Sequence, residues 1–336
     1  MPKSYKIAVV GAGLAGLATF WHLLQKRQNQ PQEVELHLIE AKGIAKGASG
    51  AALGLLHPFA GSRCRLNWRG LEGVASTSRL LAAASSSLAL PLARRVPLLR
   101  IATHERQGAI WQEAVRLYPQ FLRPESIECA RWGAVSLDAQ LIECSSYLEG
   151  LWLDCARHEG VYRLEQRIRQ LDQLDGYDAF VLAMGAETLS MQGLPPLPLH
   201  LVKGQLLEVA LPAKSLSLST PIGASSYLLP SLSCADRWLI GASYERRFTS
   251  PDPDKVEAQQ LLLPPLFSFL PELKAAELVG CRAGLRVMAP GHRPLIQQVA
   301  PRGWVATGLG SKGLLYHGLV GLEAAALAWQ SLSFSS

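Results

Sequence analysis

Cysteine, charged residues and long apolar runs are all scarce in this sequence of 336 residues. The six cysteines are scattered and no two form a C-x-x-C pair, which argues against the common zinc-ligand spacings and against a disulfide framework. A reducing compartment fits this use of cysteine. Charged residues make up only 18% of the chain and apolar residues 49%, so extended disorder is excluded for most of it.

No apolar stretch reaches the length of a membrane span, because Ser, His, Glu or Pro interrupts each one. The first strand-like run begins at Tyr5, which leaves no space for a signal peptide before it. At about 150 residues per domain, the length predicts about two domains. We therefore expect a soluble cytoplasmic protein, without a bound metal and without a membrane partner. The net charge of +6 permits a nucleic-acid partner but does not require one.

The chain opens with a pattern typical of a nucleotide-binding unit. Residues 6–10 (KIAVV) form a short apolar run, GAGLAG follows, and apolar residues then recur at helical spacing. Residues 34–40 (VELHLIE) alternate between apolar and polar and end in Glu40. The pattern predicts a strand, a tight turn, a helix and a second strand that ends in an acid.

The three glycines of this turn stand at the spacing that a dinucleotide requires. Gly11 permits the tight turn, Gly13 lets the backbone approach a pyrophosphate, and Gly16 allows the helix to pack closely on the strand. The helix N-terminus then faces the anion, and Glu40 is placed to bind ribose hydroxyls. Together these features predict a dinucleotide site.

Periodicity divides the rest of the chain into further elements. It predicts helices over 67–90, 138–158, 255–263 and 314–329, buried strands at 178–185 and 304–307, and an antiparallel sheet over 199–243. Residues 91–124 show no dominant period. A nicotinamide enzyme would continue with further βα units, whereas this chain returns to its nucleotide domain in pieces, which favours FAD.

The predicted fold class is α/β, with a Rossmann-like FAD-binding domain and an interleaved antiparallel-sheet substrate domain. The predicted FAD-binding domain comprises residues 1–80, 133–197 and 280–336, and the substrate domain comprises 81–132 and 198–279. The active site is expected where the substrate-domain sheet covers the isoalloxazine ring.

Eight stretches carry a family resemblance, and they follow one another in the family's order over nearly the whole length. They are IAVVGAGLAGLATFWHL, KGASGAALGLLHP, VLAMGAET, LVKGQLLEV, SYLLP, WLIGASYE, CRAGLR and ATGLGSKGL. The chain resembles the FAD-dependent D-amino acid oxidase superfamily, in the branch that contains glycine oxidase and the FAD domain of the bifunctional tRNA wobble-uridine modification enzyme.

The resemblance implies noncovalent FAD and a set of cofactor-binding residues. For the pyrophosphate, ribose and adenine these are Gly11, Ala12, Gly13, Leu14, Ala15, Gly16, Glu40, Ala41, Ala48, Ser49, Ile168, Ala183 and Gly185. For the flavin ring they are Leu53, Gly54, Leu55, Gly310, Ser311, Lys312 and Gly313. Cys64 lies near the flavin loop, but the covalent members of the superfamily attach their flavin in other sequence contexts.

The resemblance also implies substrate contacts. Arg286, in AGLR, matches an arginine that clamps a substrate carboxylate, and a planar guanidinium suits that task because it can donate two parallel hydrogen bonds. Tyr227, in SYLLP, matches a tyrosine near the same carboxylate, and His57 follows the flavin loop within reach of substrate or flavin. Each has a structural alternative: an ion pair for Arg286, strand packing for Tyr227 and a loop contact for His57.

Three functions stay open from the sequence. The first is oxidation of a carbon–nitrogen bond in a small amino acid or N-substituted glycine, by hydride transfer to flavin N5. The second is removal of the carboxymethyl group from carboxymethylaminomethyl-uridine in tRNA, for which the cluster RCRLNWR, with Trp68 among arginines, could bind RNA. His292 stands where the tRNA-modifying relatives usually have an acid. The third is a flavin-binding protein without turnover.

Overall fold

The structure, a computed structural model, describes residues 4–29, 33–52, 54–211, 216 and 220–332. Two β-sheets dominate the described part of the chain, one of six strands and one of nine. Segments of both sheets alternate along the sequence, as the predicted interleaving requires. The α/β fold class is confirmed.

The six-stranded sheet has the order β14-β15-β8-β1-β2-β7. Its strands are β1 (Tyr5–Val10), β2 (Val34–Ile39), β7 (Val161–Leu164), β8 (Ala179–Leu182), β14 (Leu295–Ala300) and β15 (Gly303–Thr307). All neighbours pair in parallel except β14 with β15. In the register, Val10 lies beside both Ile39 and Leu182, so three strands end at one edge of the sheet. Ligands of open parallel sheets bind outside this carboxyl edge.

The nine-stranded sheet has the order β13-β9-β12-β11-β10-β4-β6-β3, with β5 added beside β6. Its strands are β3 (Leu55–Leu56), β4 (Ala93–Ile101), β5 (Arg123–Glu125), β6 (Ala134–Ile142), β9 (His200–Ala210), β10 (Ile222–Gly223), β11 (Tyr227–Pro230), β12 (Arg237–Gly241) and β13 (Glu277–Met288). Every pair is antiparallel except β4 with β10. The antiparallel sheet predicted over 199–243 is therefore present.

Six α-helices lie in the described part of the chain: α1 (Leu14–Gln28), α2 (Gly70–Leu88), α3 (Glu105–Leu117), α4 (Cys144–Ala156), α5 (Lys255–Leu262) and α6 (Gly313–Gln330). Helices α1, α2, α4 and α6 share one apolar core on one face of the six-stranded sheet. Helix α6 packs closely on α1, since a Cβ at Gly321 would lie 2.5 Å from the Ala18 backbone carbon. Within the described ranges, none of these helices has the length and apolar character needed to cross a lipid bilayer.

One predicted helix is partly wrong. Residues 138–142 were expected to be helical, but they form the end of β6, which pairs with β4 on one side and β3 on the other. Leu141 is buried in the strand, and it also stands at helical spacing from the buried residues Cys144 and Leu148, so periodicity alone extended the helix too far toward the N-terminus. The Glu143 side chain accepts a hydrogen bond from the Ser146 amide at 2.7 Å, and this N-cap begins α4 one residue later.

Residues 91–124, which show no period in the sequence, contain β4, α3 and β5. Strand β4 is exposed at its start and buried at its end, which explains the mixed pattern. Strands β6 and β13 overlap segments that the sequence assigned to the FAD-binding domain, yet both pair within the nine-stranded sheet. The domain limits themselves stay a prediction.

Candidate functional site

A cavity of about 1060 Å³ runs from the carboxyl edge of the six-stranded sheet to the face of the nine-stranded sheet. Predicted site residues that line it are Gly11, Ala12, Gly13, Leu14, Ala15, Glu40, Ala41, Ala48, Ser49, Gly54, Leu55, His57, Ile168, Ala183, Gly185, Tyr227, Arg286, Gly310, Ser311, Lys312 and Gly313. Of the predicted residues, Gly16 does not line the cavity, and Leu53 lies outside the described residues.

The glycine turn between β1 and α1 is held by close backbone contacts. Gly11 has a φ of +108°, and a Cβ there would lie 2.4 Å from the Ala183 carbonyl oxygen. A Cβ at Gly16 would lie 1.8 Å from the Gly11 carbonyl oxygen, so no side chain fits between the helix and the strand. Gly16 thus shapes the cavity by packing rather than by contact, which is the physical role assigned to the third glycine.

Two loops meet at the N-terminus of α1. The Leu14 amide donates to Ser49 Oγ at 3.1 Å, and the Ala12 amide donates to Glu40 Oε2 at 2.8 Å. Glu40 Oε1 also accepts from the Lys42 amide at 2.8 Å, which fixes this carboxylate at the cavity wall. The first turn of α1 contains no acidic residue, so its positive dipole end is free to face an anion.

Another part of the cavity wall is formed by the 3₁₀ turn Gly310–Lys312 and the start of α6. Gly310 has a φ of +56°, and a Cβ there would lie 2.8 Å from Met288 Sδ. Burial lowers the pKa of Lys312, whose Nζ lies 5.9 Å from the Tyr316 ring centre. This part of the wall therefore combines a helix N-terminus with a partly buried ammonium group.

These features fit a long, flexible anionic cofactor. The cavity wall is rich in glycine, alanine and serine, and glycine positions at its walls would clash if a Cβ were added. The N-termini of α1 and α6 both lie at this wall. Such a wall lets backbone amides approach a ligand closely. A pyrophosphate-bridged dinucleotide can be contacted in this way along its whole length.

Arg286 of β13 reaches the cavity across β9. Its Nη1 donates to the Ser243 carbonyl oxygen at 3.0 Å, and a Cβ at Gly204 would lie 2.1 Å from its Nη2. Only glycine at position 204 leaves space for the guanidinium over the strand. Burial lowers the pKa of Arg286, while Tyr244 and Glu245 act in the opposite direction. An arginine starts from so high a pKa that it stays charged.

Tyr227 and His57 lie on the walls of the same cavity. The Tyr227 ring covers Gly223, where a Cβ would lie 2.6 Å from its Cε1, and it also packs against an apolar cluster that includes Phe59. His57 is 4% exposed, and its Nδ1 has no hydrogen-bond partner among the described residues. Burial, and secondarily Arg100, lower the pKa of His57 to about 3, so its imidazole is neutral at physiological pH.

Sequence reasoning missed several residues of this site. Tyr244 lines the cavity beside Arg286, and residues 251–253 line its rim. Lys203, Gln205 and Glu245 form a buried polar cluster behind Arg286. Tyr244 and Glu245 fall within the matched stretch WLIGASYE, but only the register of the sheet shows which of them faces the cavity.

Other residues of interest lie elsewhere. Buried His317 forms a 2.7 Å hydrogen bond with the Tyr147 hydroxyl, which indicates a packing role. Cys64 is buried and does not line the cavity, and burial raises its thiol pKa. His292 is exposed, with a φ of 54°.

The RCRLNWR cluster, residues 63–69, immediately precedes helix α2. Arg69 forms an ion pair with Glu72 at 2.7 Å. Trp68 is 42% exposed, and the guanidinium carbons of Arg69 and Arg293 each lie 5.6 Å from its ring centre. The Trp68 ring also contacts Tyr316, whose ring faces Lys312 at the cavity wall. We call Trp68, Arg69 and Arg293 the Trp68 patch. Tyr316 and Lys312 connect this patch to the cavity wall.

The sequence profile of a family described as FAD dependent oxidoreductase matches residues 6–327. Among solved structures, glycine oxidase from Geobacillus kaustophilus superposes with a TM-score of 0.80 at 20% identity, covering 97% of this chain and 95% of that one. Iminodiacetate oxidase from Chelativorans sp. BNC1 superposes with a TM-score of 0.73 at 18% identity, covering 96% and 95%. At these identities the likeness shows a shared fold.

Among curated proteins, the tRNA 5-methylaminomethyl-2-thiouridine biosynthesis bifunctional protein of Polaromonas sp. is 26% identical over 369 aligned residues. The alignment covers 93% of this chain and 54% of that protein. The chain thus spans about half the length of this relative.

Proposed function

This chain belongs to the FAD dependent oxidoreductase family, and we propose that it oxidises a carbon–nitrogen bond of a small amino acid or N-substituted glycine. When bound, FAD supplies the acceptor for a hydride from the carbon next to nitrogen. The residues that hold it are the predicted cofactor set at the cavity wall. The proposal takes FAD to be noncovalent, as the resemblance implies: Cys64, which follows the predicted flavin loop, is buried and does not line the cavity, and Cys281, which does line it, is a free thiol.

One observation carries the substrate class: a charged arginine faces the cavity without a direct ion pair among the described residues. The Arg286 hydrogen bond goes to a neutral carbonyl, and none of the ion pairs found among the described residues involves Arg286. A cation without a salt bridge of its own can pair directly with an anionic ligand. A carboxylate that binds it would fix the neighbouring carbon in the cavity, which is the geometric requirement for transfer.

The remaining residues orient the substrate rather than move its protons. A neutral amine gives up hydride without an enzymic base, so the neutral His57 needs only to accept or donate a hydrogen bond. Tyr227 closes the same wall with its ring. The walls are mainly apolar or backbone, which favours the exclusion of water from the reacting carbon. Free thiols at all six cysteines agree with a cytoplasmic site of action.

Anaerobic bleaching of the flavin absorption tests the proposal. The purified protein is mixed with glycine, sarcosine, proline, D-amino acids and, as matched controls, the corresponding amides. We expect bleaching by at least one acid and slower bleaching by its amide. Full flavin occupancy without bleaching by any amine would refute the proposal and favour the flavin-binding protein without turnover.

A second candidate substrate is the carboxymethylaminomethyl group of a tRNA wobble uridine, which is itself an N-substituted glycine. The curated relative named for tRNA 5-methylaminomethyl-2-thiouridine biosynthesis favours it, because its alignment covers 93% of this chain. The Trp68 patch supports it as well, since an exposed aromatic ring between guanidinium groups can stack a base and contact phosphate. With this substrate, Arg286 would still bind the carboxylate, and only the molecule that carries the amine would differ.

Filter binding of tRNA at several salt concentrations separates the two candidates. If tRNA is the substrate, affinity falls steeply with salt, and Trp68→Ala and Arg293→Ala weaken it while flavin content stays constant. A matched control is Arg123→Ala, which removes an exposed arginine from β5. No salt-dependent association, or equal losses in all three variants, would argue against the tRNA substrate.

A further inference from the structure

A buried polar cluster lies on the far side of β9 from the cavity. Gly204 and Tyr244 line the cavity, whereas their neighbours Lys203, Gln205 and Glu245 do not. Alternation along paired strands explains this division, because Lys203 exchanges two backbone hydrogen bonds with Glu245, at 3.0 and 2.9 Å. The three side chains of the cluster are almost fully buried, with exposures of 3%, 0% and 8%.

Every oxygen of the Glu245 carboxylate has a partner in this cluster. Oε1 accepts a short hydrogen bond from Ser243 Oγ, and Oε2 lies 3.4 Å from Gln205 Nε2. Lys203 Nζ lies 4.0 Å from the same Oε2, and also 4.0 Å from Oε2 of Glu257 on α5. Glu245 is therefore directed away from the cavity, toward an ammonium group.

Arg286 is linked to this carboxylate through Ser243. Its Nη1 is bonded to the carbonyl of Ser243, and the hydroxyl of that serine is bonded to Glu245. Glu245 is close enough to act electrostatically on Arg286. One residue thus separates a buried anion from the cation that the proposed function assigns to substrate.

We propose that Lys203 is a positioning residue, which neutralises and retains the Glu245 carboxylate so that Arg286 remains available to a substrate carboxylate. The inference rests on the proposed function, because it concerns the same arginine. Without the ammonium group, two carboxylates, Glu245 and Glu257, would face the cluster with no buried cation between them. The Glu245 charge would then compete with an anionic ligand for Arg286, across a distance at which buried charges still interact strongly.

The role of Lys203 can be tested with a carboxylate that the enzyme cannot oxidise, because its binding is measured without turnover. Acetate is titrated into the FAD-loaded protein, with acetamide as its neutral control, and binding is followed by calorimetry. Lys203→Met is expected to weaken acetate about tenfold, the size of a partly screened interaction between charges several ångströms apart, and to leave acetamide unchanged. Adding Glu245→Gln to that variant is expected to restore acetate affinity to within about twofold of wild type.

Two further variants keep the outcome interpretable. Lys255→Met makes the same substitution at an exposed site on α5, and it is expected to leave acetate binding unchanged, because water screens that charge. Glu245→Gln alone is expected to keep or strengthen acetate binding, and it can be measured even if Lys203→Met does not fold. A purely structural role would instead weaken binding in each single variant and more in the double variant.

Wild-type affinity for Lys203→Met, no recovery in the double variant, or weaker binding in Glu245→Gln would overturn the inference. So would a wild-type protein that binds acetate no better than acetamide. Failure of the proposed function is distinguishable, because it appears as absent bleaching by every amine while the acetate series can still show the expected pattern.

Discussion

The two ends of the cavity are built in different ways. At the six-stranded sheet, the wall consists of backbone and small residues, and its shape depends on where side chains are absent, as at Gly11 and Gly16. At the nine-stranded sheet, the wall also carries large side chains, such as Arg286 of β13, Tyr227 of β11 and Tyr244, which follows β12. The first end suits a ligand common to a whole family, and the second suits a ligand particular to the protein.

This difference determines how each end responds to mutation. Where closely packed backbone forms the wall, no space is left for an additional atom. A single added methyl group therefore displaces the sheet as well as changing the binding site. A side-chain wall can lose a functional group while its scaffold stays folded. We therefore expect substitutions at the first end to change folding and cofactor together, and substitutions at the second end to change substrate affinity alone.

Gly16→Ala should give the largest effect. The new Cβ would lie 1.8 Å from the Gly11 carbonyl oxygen, so α1 must move away from β1. We expect FAD to be lost and the free energy of unfolding to fall by more than about 3 kcal/mol. Urea unfolding and the ratio of visible to ultraviolet absorbance measure both. Gly47→Ala is the matched control, because no atom lies within 4 Å of its added Cβ. Equal behaviour of the two variants would contradict the contrast between the ends.

Arg286→Met should give the second-largest effect. Loss of one charge-assisted pair is worth about 3 kcal/mol, so KM for a carboxylate substrate should rise about 100-fold while FAD content stays at the wild-type level. Steady-state kinetics with an amino acid and its amide provide the measurement, and the amide serves as the control. A loss of FAD in this variant would show that the two ends are not separable.

The third-largest effect should be on the pH dependence of the free energy of unfolding. Burial lowers the pKa of His57 to about 3 and that of His317 to about 4, below the usual 6.5. The unfolded chain then binds more protons than the folded chain between these values and pH 6.5, so the stability that neutral histidine provides is lost as the pH falls through that window. Each group contributes a slope of at most about 1.4 kcal/mol per pH unit.

Urea unfolding between pH 7 and pH 4.5 measures this slope. His57→Asn should reduce it, and His158→Asn, which changes a half-buried histidine outside the cavity, should leave it unchanged. A wild-type slope in His57→Asn would mean that His57 is protonated in the folded protein.

Tyr227→Phe should have the smallest effect. If the hydroxyl contacts a substrate carboxylate, one hydrogen bond of about 1 kcal/mol is lost and KM rises about fivefold at constant kcat. Tyr244→Phe makes the same change at the neighbouring cavity tyrosine and shows whether the two hydroxyls are equivalent. No change in Tyr227→Phe would favour the packing role over Gly223 that was left open from the sequence.

The sequence predicted the cofactor end of the cavity more fully than the substrate end, and the physical reason lies in their construction. Gly11, Gly13 and Gly16 are neighbours along the chain, and the strand before them and the helix after them have clear periods. Glu40 follows at the end of the next strand. Local spacing is enough to place such residues together at one sheet edge.

Residues at the substrate end come together only through strand pairing. Arg286 of β13 meets Ser243, which follows β12, because β13 and β12 both pair with β9, and nothing in their separation of 43 residues predicts that contact. The resemblance supplied Arg286 and Tyr227, but not Tyr244 or the Lys203 cluster. The same limitation produced the error at 138–142, where pairing on both sides decided for strand over helix.

Strand β1 acquires its second neighbour late in the chain. It pairs locally with β2, but its other side pairs with β8, where Ile7 lies beside Ala179. Long-range pairing of this kind slows folding, because a large loop must close before the contact forms. During synthesis, the glycine turn would therefore form in a sheet that still lacks β8. More than half of the chain must be synthesised before β8 can pair with β1. FAD should be captured as a late event in maturation, after β8 joins β1, rather than by the nascent N-terminal unit.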